Sequence, residues 1–156
     1  MLVSPAPRTM ETANLFLDAA KVSSTSCSTI PVQVLYDGTM QPTGSQLFQK
    51  LGYAPLDDYV NNANATDRQV SRALLGSYAA NVMDAMMVAM REPPKPLVTG
   101  STLWMVGHAI YLPAAALGVA SIVDCDESDL DIIMSCNTKE AEGYLIDIRK
   151  SKVACL

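Results

Sequence analysis

The sequence predicts an α+β fold with a long central buried helix, shorter helices and a C-terminal antiparallel β-meander. Two patterns support this class: apolar residues at helical spacing over 67–91, and three short β-rich runs that begin near Gly118. The chain of 156 residues suits a single domain, 1–156, that buries its own core. An alternative places residues 1–29 outside that core, as an extended or helical N-terminal arm.

The N-terminal segment contains a predicted amphipathic helix and a predicted strand. The helix covers 9–21, with Thr9 as a candidate N-cap and its apolar side chains on one side. The run IPVQVLYDG then alternates apolar and polar residues up to Asp37 and Gly38. This alternation predicts a strand near 30–36 that runs into a turn.

Two short helices are predicted next. The run GSQLFQKLG has about two turns and places Gly52 where helices commonly end. The run PLDDYV adds one more turn, with Pro55 in the first position, where proline is tolerated.

The long helix is predicted over 67–91. Thr66 and Gln69 are spaced as a capping box, and Pro93 with Pro94 ends the apolar pattern. At 1.5 Å per residue the helix would be about 37 Å long, which is enough to cross a domain of this size. The segment between Arg72 and Asp84 carries no charge, so we expect a helix that is buried on nearly all sides.

The longest uncharged stretch follows, with 28 residues between Lys95 and Asp124. It is long enough to cross a bilayer, so a membrane-embedded segment over 97–123 is one alternative. His108 and Pro113 near its middle make insertion marginal. The sequence favours instead a buried helix over 103–112, capped by Ser101 or Thr102 and ended by Pro113.

The C-terminal meander is predicted from three β-rich runs, GVASIVDC, LDIIMSC and YLIDIRKS. The turn-like runs DESD and NTKEAEG separate them, as in consecutive antiparallel strands. The first of these strands would begin inside the uncharged stretch, which is a further argument against a transmembrane helix there.

Composition restricts the classes of function. A net charge of −5 and a pI near 4.7 argue against a nucleic-acid partner, which requires a basic face. Charged residues make up only 17%, which suits a surface partly covered by partners or by lipid. The N-terminus has no secretory signal pattern. The four cysteines lack zinc spacing, and we expect them to be small buried thiols in a reducing compartment such as the cytoplasm.

No catalytic, cofactor-binding or metal-binding residue is predicted. His108 is the only histidine and lies in an apolar run, which is typical of a hydrogen-bonded core histidine. The acidic run Asp124–Asp131 resembles the start of a calcium loop but has Ser135 where the last carboxylate should be. We expect a solvated turn there, with a weak cation site or a basic partner as the alternative.

Four methionines lie close together on the long helix. Helical spacing brings them near one stripe, formed by Met83, Met86, Met87 and Met90. Thioether side chains suit core packing, and they also suit surfaces that repack against partners. The stripe is therefore a candidate interaction face.

These observations predict a non-enzymatic structural subunit of a larger assembly, of the kind found in virions or organellar complexes. We expect a homo-oligomer or a permanent protein partner, and no cofactor. Two alternatives are a membrane-associated subunit with residues 97–123 embedded, and a small cysteine-dependent enzyme that uses His108.

Overall fold

Three short parallel strands lie side by side in the computed structural model. Strand β1 (Leu2–Val3) is central, between β2 (Ile30–Pro31) and β3 (Met105–Val106). Leu2 lies opposite Ile30 on one side and Met105 on the other. The structure describes residues 1–22, 27–37, 42–93, 101–108, 110–139 and 142–156.

Helices make up most of the described residues. In chain order they are α1 (Pro7–Ala19), α2 (Val34–Asp37), α3 (Pro42–Leu51), α4 (Leu56–Val60), α5 (Ala65–Arg91), α6 (Leu112–Ile122) and α7 (Glu127–Ser135). At the C-terminus β4 (Tyr144–Asp147) pairs antiparallel with β5 (Lys152–Cys155). The α+β class, the long helix and a C-terminal antiparallel sheet are thus confirmed.

The two faces of β1 contact different parts of the core. Leu2 belongs to the main apolar cluster, which includes residues of α5, α6 and α7. Met1 and Val3 pack with Ala13 of α1 in a second cluster. Because successive residues of a strand point to opposite faces, α1 covers one face of the sheet and the main cluster covers the other.

Helix α5 is confirmed in position, but its N-cap is Asn64 rather than the predicted Thr66. The Asn64 side chain accepts hydrogen bonds from the backbone N–H groups of Thr66 and Asp67. An asparagine two residues earlier therefore performs the capping that we expected from the threonine.

The expectation that α5 is buried on nearly all sides is wrong. Its inner face is buried at Ser71, Leu75, Tyr78, Ala79 and Val82. The opposite face, with Ala73, Ser77 and Ala80, is exposed. Small and weakly polar side chains can face water at little cost, so the absence of charge was a poor guide to burial.

The stretch around His108 also differs from the prediction. Residues 103–112 are not one helix, because β3 occupies 105–106 and α6 begins at Leu112. Pro113 stands in the first turn of α6, where its missing N–H costs nothing. The predicted helix end is therefore a helix start.

The first two predicted strands of the meander are helices. GVASIVDC lies mostly in α6, and LDIIMSC lies in α7, whose N-cap Asp126 accepts a hydrogen bond from the Asp129 N–H over 3.0 Å. In runs this short, alternating and helical apolar patterns cannot be told apart, so the strand prediction rested on β-branched composition alone and was wrong. The third run is β4, and its partner β5 lies in a segment that was not predicted as a strand.

The N-terminal elements agree in part. Helix α1 begins at Pro7, two residues before the prediction, and Thr9 is not its cap but donates to the carbonyls of Ser4 and Ala6. The strand predicted near 30–36 is limited to β2 and is followed by α2. Of the predicted turn at Asp37 and Gly38, the glycine lies outside the described residues.

The two short helices after that turn are confirmed as α3 and α4. Gly52 ends α3 with φ +63°, a left-handed backbone conformation that glycine adopts without strain. Pro55 stands at the N-cap of α4, one position before the expected one.

Two cysteines are paired, which corrects the expectation of four buried thiols. Cys136, at the end of α7, forms a disulfide with Cys155 of β5. Cys125 is a buried thiol, and burial raises its pKa. Cys27 is a half-buried thiol near the amino group of Met1.

Candidate functional site

The carboxyl ends of β1 and β3 place three polar side chains together. Ser4 follows β1 directly, His108 follows β3 after one glycine, and Arg8 is the second residue of α1. The chain leaves β1 towards β2 on one side and returns to β3 on the other side. In open parallel sheets, ligands bind in the crevice at such a reversal of strand order.

Both ring nitrogens of His108 have hydrogen-bond partners. Nε2 lies 3.0 Å from the Ser4 hydroxyl, and Nδ1 lies 3.0 Å from Nη2 of Arg8. A guanidinium only donates, so Nδ1 must accept from Arg8 and carries no proton. The proton of the neutral ring is therefore on Nε2, which donates to the Ser4 oxygen.

His108 is neutral at physiological pH. Partial burial of the ring, which is the larger cause, and the positive charge of Arg8, which is the smaller one, lower the pKa of His108 to about 4. Both causes disfavour the imidazolium form. The charge of this cluster consequently comes from Arg8 alone.

Ser4 is held rigidly and is not activated as a nucleophile. Its side chain is completely buried, and its hydroxyl oxygen accepts from His108 and, over 3.5 Å, from the Ala6 N–H. A general base must accept the proton of the serine, but the facing nitrogen of His108 already carries one. Ser4 therefore orients the imidazole ring.

The N-terminus of α1 adds to the positive potential of the cluster. Its N-cap residue, Ala6, has no side chain that could cap the first N–H groups. The helix dipole and these N–H groups favour a negative charge near Arg8. On the β2 side the ring of Tyr36 lies 6.4 Å from the ring of His108, measured between centroids.

Sequence reasoning found only one residue of this cluster. His108 does have hydrogen-bond partners as predicted, but it lies half-buried at a sheet edge rather than in the core. Ser4 and Arg8 were missed. The run LVSPAPR contains a signal for them, since two apolar residues, a serine and a proline before a helix indicate a strand that turns directly into a helix.

The predicted methionine stripe is divided between two environments. Met83 contacts the α6 backbone at Gly118, and Met86 packs against the main core cluster. Met87 and Met90 are 47% and 45% exposed. The side chains of the stripe therefore do not form one surface.

The acidic run is engaged in local structure. Asp126 caps α7, and Lys152 of β5 contacts Asp126 at 2.7 Å and Asp129 at 2.9 Å. The hydrogen bond from Lys152 is the main cause that holds the pKa of Asp126 well below its usual range. Within the described ranges, no group of His, Cys, Asp and Glu side chains could hold a metal ion.

One described helix, α5, is long and apolar enough to cross a membrane by length and composition. From residue 101 onwards, the described part of the uncharged stretch divides into β3 and an α6 of 11 residues. Eleven helical residues are about 16 Å long, roughly half the thickness of the hydrocarbon core of a bilayer.

No protein-family model, curated protein or solved structure matches this chain.

Proposed function

We propose that the chain binds a small ligand through an oxyanion group, a phosphate or a carboxylate, at the carboxyl ends of β1 and β3. The observation that carries the proposal is the contact of Arg8 with a neutral His108. Among the described residues, no acid forms an ion pair with Arg8. The guanidinium is thus a cation whose present partner is a neutral acceptor, and an oxyanion would be a better one.

Binding would change the roles of both side chains. An oxyanion between Arg8 and the ring draws the guanidinium away from Nδ1. That nitrogen then takes up a proton, because a neighbouring negative charge favours imidazolium. His108 would donate from Nδ1 to the anion while Nε2 continues to donate to Ser4, so affinity should increase as the pH falls.

The same geometry favours binding over catalysis. The cysteine-dependent enzyme considered above needs a thiol beside His108, whereas the observed partners of the ring are Ser4 and Arg8. Cys136 and Cys155 are joined to each other, Cys125 is buried with a raised pKa, and Cys27 lies 3.9 Å from the amino group of Met1. We therefore keep the non-enzymatic role as part of the proposal.

A subunit of a larger assembly is a second candidate function. It is supported by a different part of the molecule, the exposed side of α5 with Met87 and Met90. A membrane-associated subunit with residues 97–123 embedded receives less support, because the described part of that stretch divides into β3 and an α6 of 11 residues.

The experiment uses the single histidine as the probe. The imidazole C–H signals of the full chain are followed by NMR while phosphate, sulfate or acetate replaces chloride at constant ionic strength. We expect saturable shifts and an increase of the His108 pKa. Sulfate does not change its charge over this pH range, so any proton taken up when sulfate binds is taken up by His108 and not by the anion. Acetate tests whether a carboxylate also binds.

Arg8→Gln provides the decisive variant, and we expect about tenfold weaker binding or worse. Arg149→Gln removes an arginine of the exposed C-terminal turn and should bind like the original chain. Equal binding by the two variants, or shifts that chloride also produces, would exclude the site.

A further inference from the structure

The C-terminal half of α5 presents apolar side chains to solvent. Met87, Val88 and Met90 are 47%, 60% and 45% exposed. Met87 and Val88 lie on the side of the helix away from the buried Leu75 and Val82, whereas Met90 lies on its flank, one turn after the half-buried Met86. The two neighbouring apolar side chains on the outer side, Met87 and Val88, with Met90 at their margin, are a surface that association would cover favourably.

Two opposite charges flank this apolar group. Asp84 and Arg91 are both exposed and are seven residues apart, so they lie on one side of the helix about 10 Å from each other. Within the described part of the chain, neither forms an ion pair. Met87 and Val88 lie midway between them in sequence.

We propose that this α5 outer face, residues 84–91, binds the same face of a second copy of the chain. With the two helices antiparallel about a two-fold axis between positions 87 and 88, Asp84 of each copy faces Arg91 of the other. Each charge pair is then formed twice, as the symmetry of an isologous contact requires. The exposed methionine and valine side chains meet at the axis.

The charge arrangement selects a second copy as the occupant. One acid and one base at equal distances from the centre are complementary to themselves in the antiparallel orientation. The next exposed side chains along the helix, Ala80 and Ser77, are small and leave room for a close helix crossing. A bilayer would instead have to accommodate Asp84 and Arg91 beside a helix whose other face is packed.

Sedimentation of the full chain over a concentration range, up to about 1 mM, tests the contact. The original chain should form a dimer. Asp84→Arg and Arg91→Asp should each weaken it about tenfold, because each brings like charges together at both contacts. The double substitution restores opposite charges at both contacts and should recover the dimer.

A matched pair of cysteine variants tests the position of the axis. Val88→Cys places a thiol beside the proposed axis, whereas Ala73→Cys places one on the same exposed side about 20 Å away. Mild oxidation should cross-link the first variant and leave the second like the original chain. Circular dichroism confirms that each variant is folded.

The proposal is overturned by a chain that stays monomeric over the whole range, or by a double substitution that dimerises no better than the single ones. Vesicles of phosphatidylcholine and phosphatidylglycerol provide the other arm. The α5 outer face binds lipid rather than a second copy if the chain binds these vesicles and Met87→Glu abolishes the binding without changing the mass measured by sedimentation. Since Arg8 and His108 are not altered in any of these variants, anion binding is tested independently.

Discussion

Arg8 donates a hydrogen bond from Nη2 to Nδ1 of His108 over 3.0 Å, across 100 positions of sequence. The contact joins the first turn of α1 to the end of β3 and determines the tautomer of the ring. It also identifies the side chain that would first contact an incoming anion.

The ionisation of His108 is the most direct test of the contact. We expect an NMR titration to give a pKa of about 4 for the only imidazole of the chain. Arg8→Met should raise this pKa but leave it below 6.5, because burial is the larger of the two causes. An unchanged pKa in the variant would mean that the guanidinium does not contact the ring in solution.

The same shift makes stability depend on pH. Between pH 6.5 and about 4 the unfolded chain binds a proton at His108 that the folded chain does not bind. The stabilisation that His108 contributes to the free energy of unfolding is thus complete above pH 6.5 and is lost as the pH falls through 4. After discounting for the half-exposed ring, the loss is on the order of 1 kcal/mol. Urea unfolding at pH 7 and 4.5 should show a smaller decrease for His108→Gln than for the original chain.

Gly44 of α3 leaves room for Tyr111, and Gly44→Ala should destabilise the fold. The added methyl group would overlap the Tyr111 hydroxyl, which is buried and has little space to move. We expect a loss of about 1–3 kcal/mol in the free energy of unfolding. Gly76→Ala, on the exposed side of α5 with nothing near the new methyl group, should instead gain about 0.5–1 kcal/mol.

The N-cap of α5 distinguishes the sequence prediction from the structure. Asn64→Ala removes an acceptor for two backbone N–H groups and should cost about 1 kcal/mol by thermal unfolding. Thr66→Ala should change stability by a few tenths of a kcal/mol, since Thr66 takes part in the cap only through its backbone N–H. A larger loss of stability for Thr66→Ala than for Asn64→Ala would support the predicted capping box instead.

Asp129 connects α7 to the C-terminal hairpin. Its buried carboxylate accepts from the backbone N–H of Val153 at 3.1 Å and from Lys152 at 2.9 Å. Asp129→Ala leaves a buried N–H without its partner, and we expect a loss of about 2–3 kcal/mol. Asp131→Ala, an exposed carboxylate on the same helix, serves as the control and should be nearly neutral. Equal effects in denaturant unfolding would show that the connection contributes nothing.

Helices were predictable where local signals agree. The positions of α3, α4 and α5 follow from Gly52, Pro55 and the apolar spacing of the long helix, all of which act within a few residues. The same local reasoning failed at α6 and α7, where β-branched residues in short runs suggested strands. The alanines of α6 and the Asp126 cap of α7 favour helices in these runs, and their effect outweighed that of the β-branched residues.

The candidate site was largely beyond sequence reasoning. Sequence pointed to His108 because it is the only histidine, but the strand-to-helix pattern of LVSPAPR does not show that Ser4 and Arg8 approach its ring. The cluster exists because β1 and β3 are neighbours in a parallel sheet, and that pairing joins residues about a hundred positions apart. The pairing of Cys136 with Cys155 has the same origin, since it depends on β5 lying against α7.

By itself, the sequence determined the α+β class, the approximate length of α5 and the positions of α3 and α4, because caps, prolines, glycines and apolar spacing act over one or two helical turns. The tertiary structure alone decided which side of α5 is buried, and it separated Met83 and Met86 from the exposed Met87 and Met90. It also brought Ser4, Arg8 and His108 together. Burial and the pKa of an imidazole depend on neighbours from distant parts of the chain, and only the folded arrangement of the strands supplies those neighbours.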